Sequence, residues 1–278
     1  MAVLVLTVAY EGMAFAGSQV QPGVRTVQEE IETALAGLMG YAERCVFAGR
    51  TDSGVHAAGQ VVGCRDGRPT MAPANIRAAL NARLPTDVAV TDVRREADGF
   101  HARHDARWRE YRYRVWSGGR QPLAQRQVWQ RTGPLDPAAM DEAAGRLIGE
   151  RDFASLAGAG DGVPWSRRSD QGRGTVRRVL LCRCRELVPW WGTAEGTLVE
   201  IRVVADAFLP HMVRNLTSLL VEASRGERGA DWIDRVLDRR DRRAAPATAP
   251  AHGLTLWRVG YGNDRPLARD LASSTTTL

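Results

Sequence analysis

The stretch Ala48-Gly-Arg-Thr-Asp-Ser-Gly-Val-His56 is a polar, glycine-bracketed connection between two apolar segments. Sites on rigid scaffolds usually lie on such connections. Gly49 and Gly54 allow a tight turn and the close approach of a substrate. Arg50 stands two residues before Asp52, and an adjacent guanidinium favours the ionised form of a partly buried carboxylate. Asp52 is therefore a candidate nucleophile or general base, although Thr-Asp-Ser-Gly could equally be a turn in which Asp52 bonds its own backbone.

Regular elements extend outward from this stretch on both sides. The β-branched, apolar segment 3–10 predicts a strand, and the spacing of Val27, Ile31, Leu35 and Leu38 predicts a helix with Thr26 as its N-cap. Shorter patterns predict strands over 44–48, 59–64 and 88–93 and a helix over 73–84. The first part of the chain thus has the order strand, helix, strand, strand, helix, strand.

The same order returns in the second part of the chain. Patterns predict strands over 110–116, 175–186, 197–205 and 254–261, helices over 136–147 and 210–224, and an extra helix over 230–239. The fold class is then α+β, with two ferredoxin-like (βαββαβ) halves forming a mixed sheet around a central cleft. We expect halves at residues 1–100 and 101–261, an aperiodic linker over 239–250 and a disordered tail over 262–278.

The composition indicates which class of molecule the protein binds. The 278 residues carry a formal charge of +6 and a sequence pI near 9.7, which favours polyanions such as nucleic acid. No signal peptide and no apolar run of about 18 residues is present, so we expect a cytoplasmic protein without a membrane partner. The spacing of the cysteines does not suit zinc, so we interpret four residues as reduced structural thiols: Cys45, Cys64, Cys182 and Cys184.

The full string Gly-Arg-Thr-Asp-Ser-Gly-Val-His-Ala-Ala-Gly-Gln-Val at 49–61 closely resembles the hallmark motif of the TruA family of tRNA pseudouridine synthases. The resemblance continues in order along most of residues 3 to 261, which makes it far more specific than one short motif. The further matching segments are Tyr10-Glu-Gly, Thr26-Val-Gln-Glu, Asn81-Ala-Arg-Leu-Pro85, Phe100-His-Ala-Arg103, Tyr111-Arg-Tyr113, Asp152-Phe-Ala-Ser155, Phe208-Leu-Pro-His-Met-Val-Arg-Asn215 and Gly253-Leu-Thr-Leu256.

The resemblance implies roles for five residues. Asp52 would be the catalytic aspartate, and Arg50 would pair with it and help to hold the target nucleotide out of its stack. Tyr111 would lie against the flipped uracil, since a ring can offset part of the cost of extrusion. Arg103 and Arg214 would contact a phosphate or a carboxylate.

The residues themselves leave alternatives open. Tyr111 and Tyr113 share one face of a strand, so both could belong to the core. Arg214 could be a solvated surface charge, the usual environment of an arginine. An arginine-rich loop could bind the RNA backbone or be a solvated cluster, and its candidate residues are Arg167, Arg168 and Arg173.

The resemblance implies isomerisation of uridine to pseudouridine at positions 38, 39 and 40 of tRNA, without cofactor or metal, by a homodimer. No dinucleotide or Walker loop occurs in the sequence. Whether Asp52 attacks C1′, attacks C6 or abstracts a sugar proton stays open. The family pattern is broken at Ser18, usually tryptophan, at His104, usually phenylalanine, and at Ser218, usually glycine. The alternatives are a paralogue with another RNA substrate, a non-catalytic RNA-binding module, and a hydrolase of small nucleotides.

Overall fold

The computed structural model describes residues 2–158, 174–192, 195–225, 228–262 and 264. Within these ranges the chain forms one ten-stranded mixed sheet and five α-helices. The strands are β1 Val3–Tyr10, β2 Val46–Phe47, β3 His56–Arg65, β4 Val88–Glu96, β5 Ala106–Gly118, β6 Trp129–Arg131, β7 Gly149–Asp152, β8 Val176–Leu187, β9 Gly196–Ala205 and β10 Leu254–Tyr261. The helices are α1 Val27–Met39, α2 Pro73–Asn81, α3 Pro137–Gly145, α4 Met212–Ala223 and α5 Asp231–Asp238.

The sheet contains the same strand arrangement twice. Its order is β4-β1-β3-β10-β5-β9-β8-β7, with β2 on β3 and β6 on β5. The first half reads β4-β1-β3-β2 and the second reads β10-β5-β9-β8, and neighbouring strands within each set are antiparallel. This is the split βαβ arrangement in duplicate, so the predicted fold class is confirmed.

The two halves join where β3 runs parallel to β10. Thr255 pairs with His56 and Leu256 with Ala57, while the other end of the same β3 edge pairs with β2. A Cβ on Gly59 would come within 2.4 Å of the Trp257 carbonyl oxygen, so only glycine permits this approach. The β2–β3 loop, residues 48–55, therefore lies at the junction of the halves.

Local signals in the sequence explain the elements. Thr26 caps α1, its Oγ1 accepting the Glu29 N–H at 3.4 Å, and the buried face of α1 includes Ile31 and Leu35. Asp136 caps α3 by accepting two backbone N–H groups at 3.0 Å. Most buried side chains of both halves form one continuous core that contains all four free cysteines, and a smaller core lies around Trp116. No helix in the described ranges is long and apolar enough to cross a bilayer.

The structure corrects several details of the sequence-based description. β5 begins at Ala106, and the short strands β6 and β7 were not predicted. Residues 239–250 are not a loose linker: Asn215 Oδ1 accepts hydrogen bonds from Arg242 at 3.0 Å and from Thr248 at 2.7 Å, which ties the segment to α4. Most of the predicted tail lies outside the described residues, as do Arg167, Arg168 and Arg173.

Candidate active site

The β2–β3 loop is held in one shape by three buried polar side chains. The Thr51 hydroxyl lies 2.7 Å from Tyr10 Oη, and the Thr51 N–H donates to Ser18 Oγ at 2.9 Å. Gln60 Nε2 donates to the Gly49 carbonyl at 2.7 Å. Burial raises the pKa of Tyr10 to about 12, so its phenol is protonated at neutral pH and can act as a donor. The loop is therefore fastened to β1 and β3 through Gly49 and Thr51, just before residue 52.

The turn within this loop is made by the backbone. The Val55 N–H donates to the Asp52 carbonyl at 3.1 Å, and Gly54 adopts φ = +79°, a left-handed conformation that suits glycine. The side chain of Asp52 has other partners, on a distant part of the chain. The interpretation of Thr-Asp-Ser-Gly as only an aspartate-bonded turn is therefore wrong.

Asp52 contacts two side chains from the second half, a histidine and an arginine. Its Oδ2 lies 3.4 Å from His211 Nε2 and 3.5 Å from Arg214 Nη1. Arg214 is held in place because its Nε donates to the Ala249 carbonyl at 2.7 Å. The Arg214 side chain is only 16% exposed, whereas that of Asp52 is 39% exposed. Arg214 is thus not a solvated surface charge, and the Asp52 carboxylate is open to solvent.

The start of α4 explains why these two partners act together. His211 immediately precedes α4, and Arg214 lies three residues further, so both side chains lie on the same face of the first turn. The segment Phe208 to Asn215 was noted in the sequence, but His211 was not singled out there. The spacing His-x-x-Arg at a helix start is the signal that could have identified it.

A cavity of about 1360 Å³ surrounds the Asp52 carboxylate at the junction of the halves. Five sequence-predicted residues line it, namely Arg50, Asp52, Arg103, Tyr111 and Arg214. Arg50 and Arg103 are exposed on its wall. Among the described residues, the side chains that contact the Asp52 carboxylate are those of His211 and Arg214. The cavity is larger than the roughly 300–1,000 Å³ of a typical small-molecule pocket, so a nucleotide with its flanking backbone could enter.

Tyr111 and Tyr113, on the same face of β5, both belong to the buried core, and Tyr111 also lines the cavity. Tyr113 is fully buried and donates to the Pro250 carbonyl at 2.7 Å. Tyr111 packs edge-on against Phe208, with ring centroids 5.0 Å apart. Burial, followed by the nearby Tyr10, raises the pKa of Tyr111 well above its usual value, which keeps its phenol neutral. The wall thus presents two aromatic side chains next to the carboxylate.

Arg109 holds the site together, and the sequence analysis missed it. Its guanidinium donates to the carbonyls of Ala48 at 2.9 Å, Arg103 at 2.8 Å and Asp206 at 2.9 Å. Burial lowers the pKa of Arg109, and its neighbours do not fully offset this effect. Arg109 lies two residues before Tyr111 on the same face of β5, so the alternation of that strand was the available signal. It joins the β2–β3 loop to both walls of the cavity.

The three departures from the family pattern have different environments. Ser18 is buried, and its hydroxyl accepts the Thr51 N–H, so it stabilises the loop directly. His104 lines the cavity and stacks on His101, with ring centroids 4.1 Å apart. Ser218 is buried in α4, and its hydroxyl has no hydrogen-bond partner in the described part of the chain.

Comparison with known proteins agrees with this arrangement. A model of the tRNA pseudouridine synthase family matches residues 6–105 and 143–262. Proteins named tRNA pseudouridine synthase A from Solidesulfovibrio magneticus and Bacillus subtilis are 44% and 41% identical to the chain. The first alignment covers 94% of this chain and 92% of the relative, and the second covers 92% and 98%. By these matches, which run through both halves of the sheet, the chain belongs to the family of tRNA pseudouridine synthases.

Proposed function

We propose that this protein isomerises uridine to pseudouridine in the anticodon stem-loop of tRNA, at positions 38, 39 and 40, with Asp52 as the catalytic carboxylate. One observation carries the proposal: a solvent-accessible carboxylate on a rigid loop contacts, through one oxygen, the side chains of His211 and Arg214 inside a large cavity. A carboxylate held in this way can serve nucleophilic or general-base chemistry. The family membership supplies the reaction and the RNA.

The reaction retains every heavy atom of the substrate. The N1–C1′ bond breaks, the uracil rotates, and a C5–C1′ bond forms, while the C5 proton is lost and N1 gains a proton. No oxidant, reductant or external group is needed. Asp52 could attack C1′, attack C6 or abstract a sugar proton, and each route uses an unprotonated carboxylate oxygen next to the nucleotide.

The cavity wall suits a nucleotide that has left its stack. Extrusion costs a few kcal/mol, and stacking on an aromatic ring can offset about 1–3 kcal/mol of it. Tyr111 supplies that ring in our proposal, with Phe208 behind it. Arg50 and Arg103 stand on the wall where they could contact the RNA backbone or the displaced neighbours. The loop with Arg167, Arg168 and Arg173 is proposed as a further backbone contact.

We also propose that the active species is a cytoplasmic homodimer that binds tRNA across both subunits. The support is the family resemblance, together with the net charge of +6, which favours a polyanionic partner. Sedimentation of the protein with and without tRNA would test the stoichiometry, and a monomer in both samples would contradict it.

Replacing Asp52 with asparagine tests the catalytic assignment. The change keeps size and removes charge, so pseudouridine formation should fall by at least about 1,000-fold while tRNA binding is largely retained. The matched control is Asp136→Asn. Asparagine can still cap α3, and residue 136 does not line the cavity, so this variant should keep parental activity. Activity of the Asp52 variant within about tenfold of the parent would refute the assignment.

The same assay separates the alternative functions. An RNA-binding module would bind tRNA without forming pseudouridine, and a hydrolase would act on free nucleotides. Pseudouridine mapped in total RNA with and without the gene identifies the substrate. Unchanged modification at positions 38 to 40, with loss from another RNA, would establish the paralogue instead.

A further inference from the structure

His211 has a backbone conformation that residues with a Cβ rarely adopt. Its φ is +59°, and Arg240, with φ = +48°, is the other non-glycine residue with positive φ in the described ranges. Such conformations persist where surrounding structure enforces them, and they cluster at functional sites. At His211 this conformation ends the loop from β9 and begins α4, so it sets the direction of the imidazole toward the cavity.

Gly158 provides the space in which the imidazole lies. A Cβ on Gly158 would come within 2.7 Å of His211 Nδ1 and 2.9 Å of its Cγ, which is closer than real Cβ contacts. The Gly158 N–H also donates to the Pro210 carbonyl at 2.8 Å, which fixes this backbone beside the ring. The ring is therefore placed by its own backbone on one side and by a glycine on the other.

The ring then contacts the same carboxylate oxygen as Arg214. Nε2 of His211 lies 3.4 Å and Nη1 of Arg214 lies 3.5 Å from Asp52 Oδ2. A single contact would leave the carboxylate free to rotate about its side-chain bonds, whereas two side chains converging on one oxygen restrict that rotation. Both contacts go to Oδ2, so Oδ1 is left for the substrate.

We propose that His211 is a positioning residue for the isomerisation: together with Arg214 it fixes the rotamer of Asp52, so that Oδ1 meets the reacting nucleotide. This inference rests on the proposed function of Asp52. It assigns no proton transfer to the imidazole. Its consequence is kinetic, since a carboxylate that samples several rotamers is correctly placed for a smaller fraction of the time.

Two substitutions at His211 test the proposal without endangering the fold. His211→Gly removes the ring and suits the positive φ, so the melting temperature should be unchanged or higher. The single-turnover rate constant for pseudouridine formation should fall about 10- to 100-fold, with Kd for tRNA within about twofold of the parent. His211→Gln places an N–H donor at a reach similar to that of Nε2 and should restore part of the lost rate.

A substitution at Gly158 provides an independent control. Gly158→Ala should displace the ring and lower the rate constant in the parent, but it should have no further effect in the His211→Gly background, where the clashing atoms are gone. A His211→Gly rate constant within about twofold of the parent, or an equal effect of Gly158→Ala in both backgrounds, would overturn the inference. A parent protein that forms no pseudouridine would instead overturn the proposed function, and the inference with it.

Discussion

Replacing Arg214 with lysine separates a role in holding the carboxylate from a role in binding phosphate. The guanidinium makes two contacts from two nitrogens, Nε to the Ala249 carbonyl at 2.7 Å and Nη1 to Asp52 Oδ2 at 3.5 Å. Lysine keeps the charge but presents its donors at one point, so it cannot reproduce both contacts. A phosphate ligand would tolerate this change better than a positioned carboxylate would.

The expected magnitude follows from the contact that is lost. A hydrogen bond involving a charged group contributes about 1.5–3 kcal/mol, and each 1.36 kcal/mol in the barrier changes a rate about tenfold. If lysine keeps its bond to Ala249, the single-turnover rate constant should fall about 10- to 150-fold. If it keeps Asp52 instead, the buried Ala249 carbonyl loses a donor, and stability falls by about 1–3 kcal/mol.

The assay measures single-turnover pseudouridine formation with enzyme in excess, and tRNA affinity at several salt concentrations. The control is Arg243→Lys, because Arg243 is 91% exposed and pairs only with the neighbouring Asp241 among the described residues. Lysine keeps the charge that a phosphate contact needs, so a parental rate constant with an unchanged salt slope would indicate a phosphate contact and would refute the carboxylate role.

Three further outcomes are expected. Glu110→Gln should lower the free energy of unfolding by about 3–5 kcal/mol, because this 1%-exposed carboxylate accepts two hydrogen bonds from Arg202. A loss below about 1 kcal/mol in denaturant titrations would contradict the reasoning. The cysteines of the native protein should resist alkylation at pH 8. The neighbouring Cys64 thiol and burial raise the pKa of Cys45, and burial raises the pKa of Cys182 and Cys184. Labelling as fast as in denaturant would contradict this expectation. Replacing Arg167, Arg168 and Arg173 together should flatten the salt dependence of tRNA binding by about one unit per lost contact. An unchanged slope would show that these three arginines do not contact the RNA.

Local sequence was enough to predict the repeated order of helices and strands. The apolar repeat of α1 and the cap at Thr26 depend on residues three or four positions apart, and the structure retains them. β7, with the sequence Gly-Glu-Arg-Asp, has no apolar alternation of its own. It is a strand because β8 pairs with it through Arg177 and its neighbours. Such short edge strands depend on tertiary pairing, which overrides local propensity.

Only part of the candidate site could be predicted from the sequence, because the rest depends on tertiary contacts. Asp52 and its glycines are contiguous in sequence, but Arg214 is 162 residues away from Asp52. Proximity in sequence suggested Arg50 as the partner, whereas the fold brings α4 to the carboxylate. Arg109 is similar, since its acceptors are carbonyls, which carry no side-chain signal. Side chains that bind distant backbone cannot be identified by spacing alone.

The two equivalent loops of the duplicated fold have different environments. The β2–β3 loop of the first half corresponds to the β8–β9 connection of the second, since each joins the second and third strands of its repeat. In the described part of that connection, Trp191 packs on Trp116 with ring centroids 5.2 Å apart. Trp116 is fully buried in a small core with Leu198. The β2–β3 loop, next to α4 of the other half, holds Asp52, whereas its counterpart buries aromatic area and stabilises the hairpin, so in our proposal one loop of the repeat serves chemistry and the other serves packing.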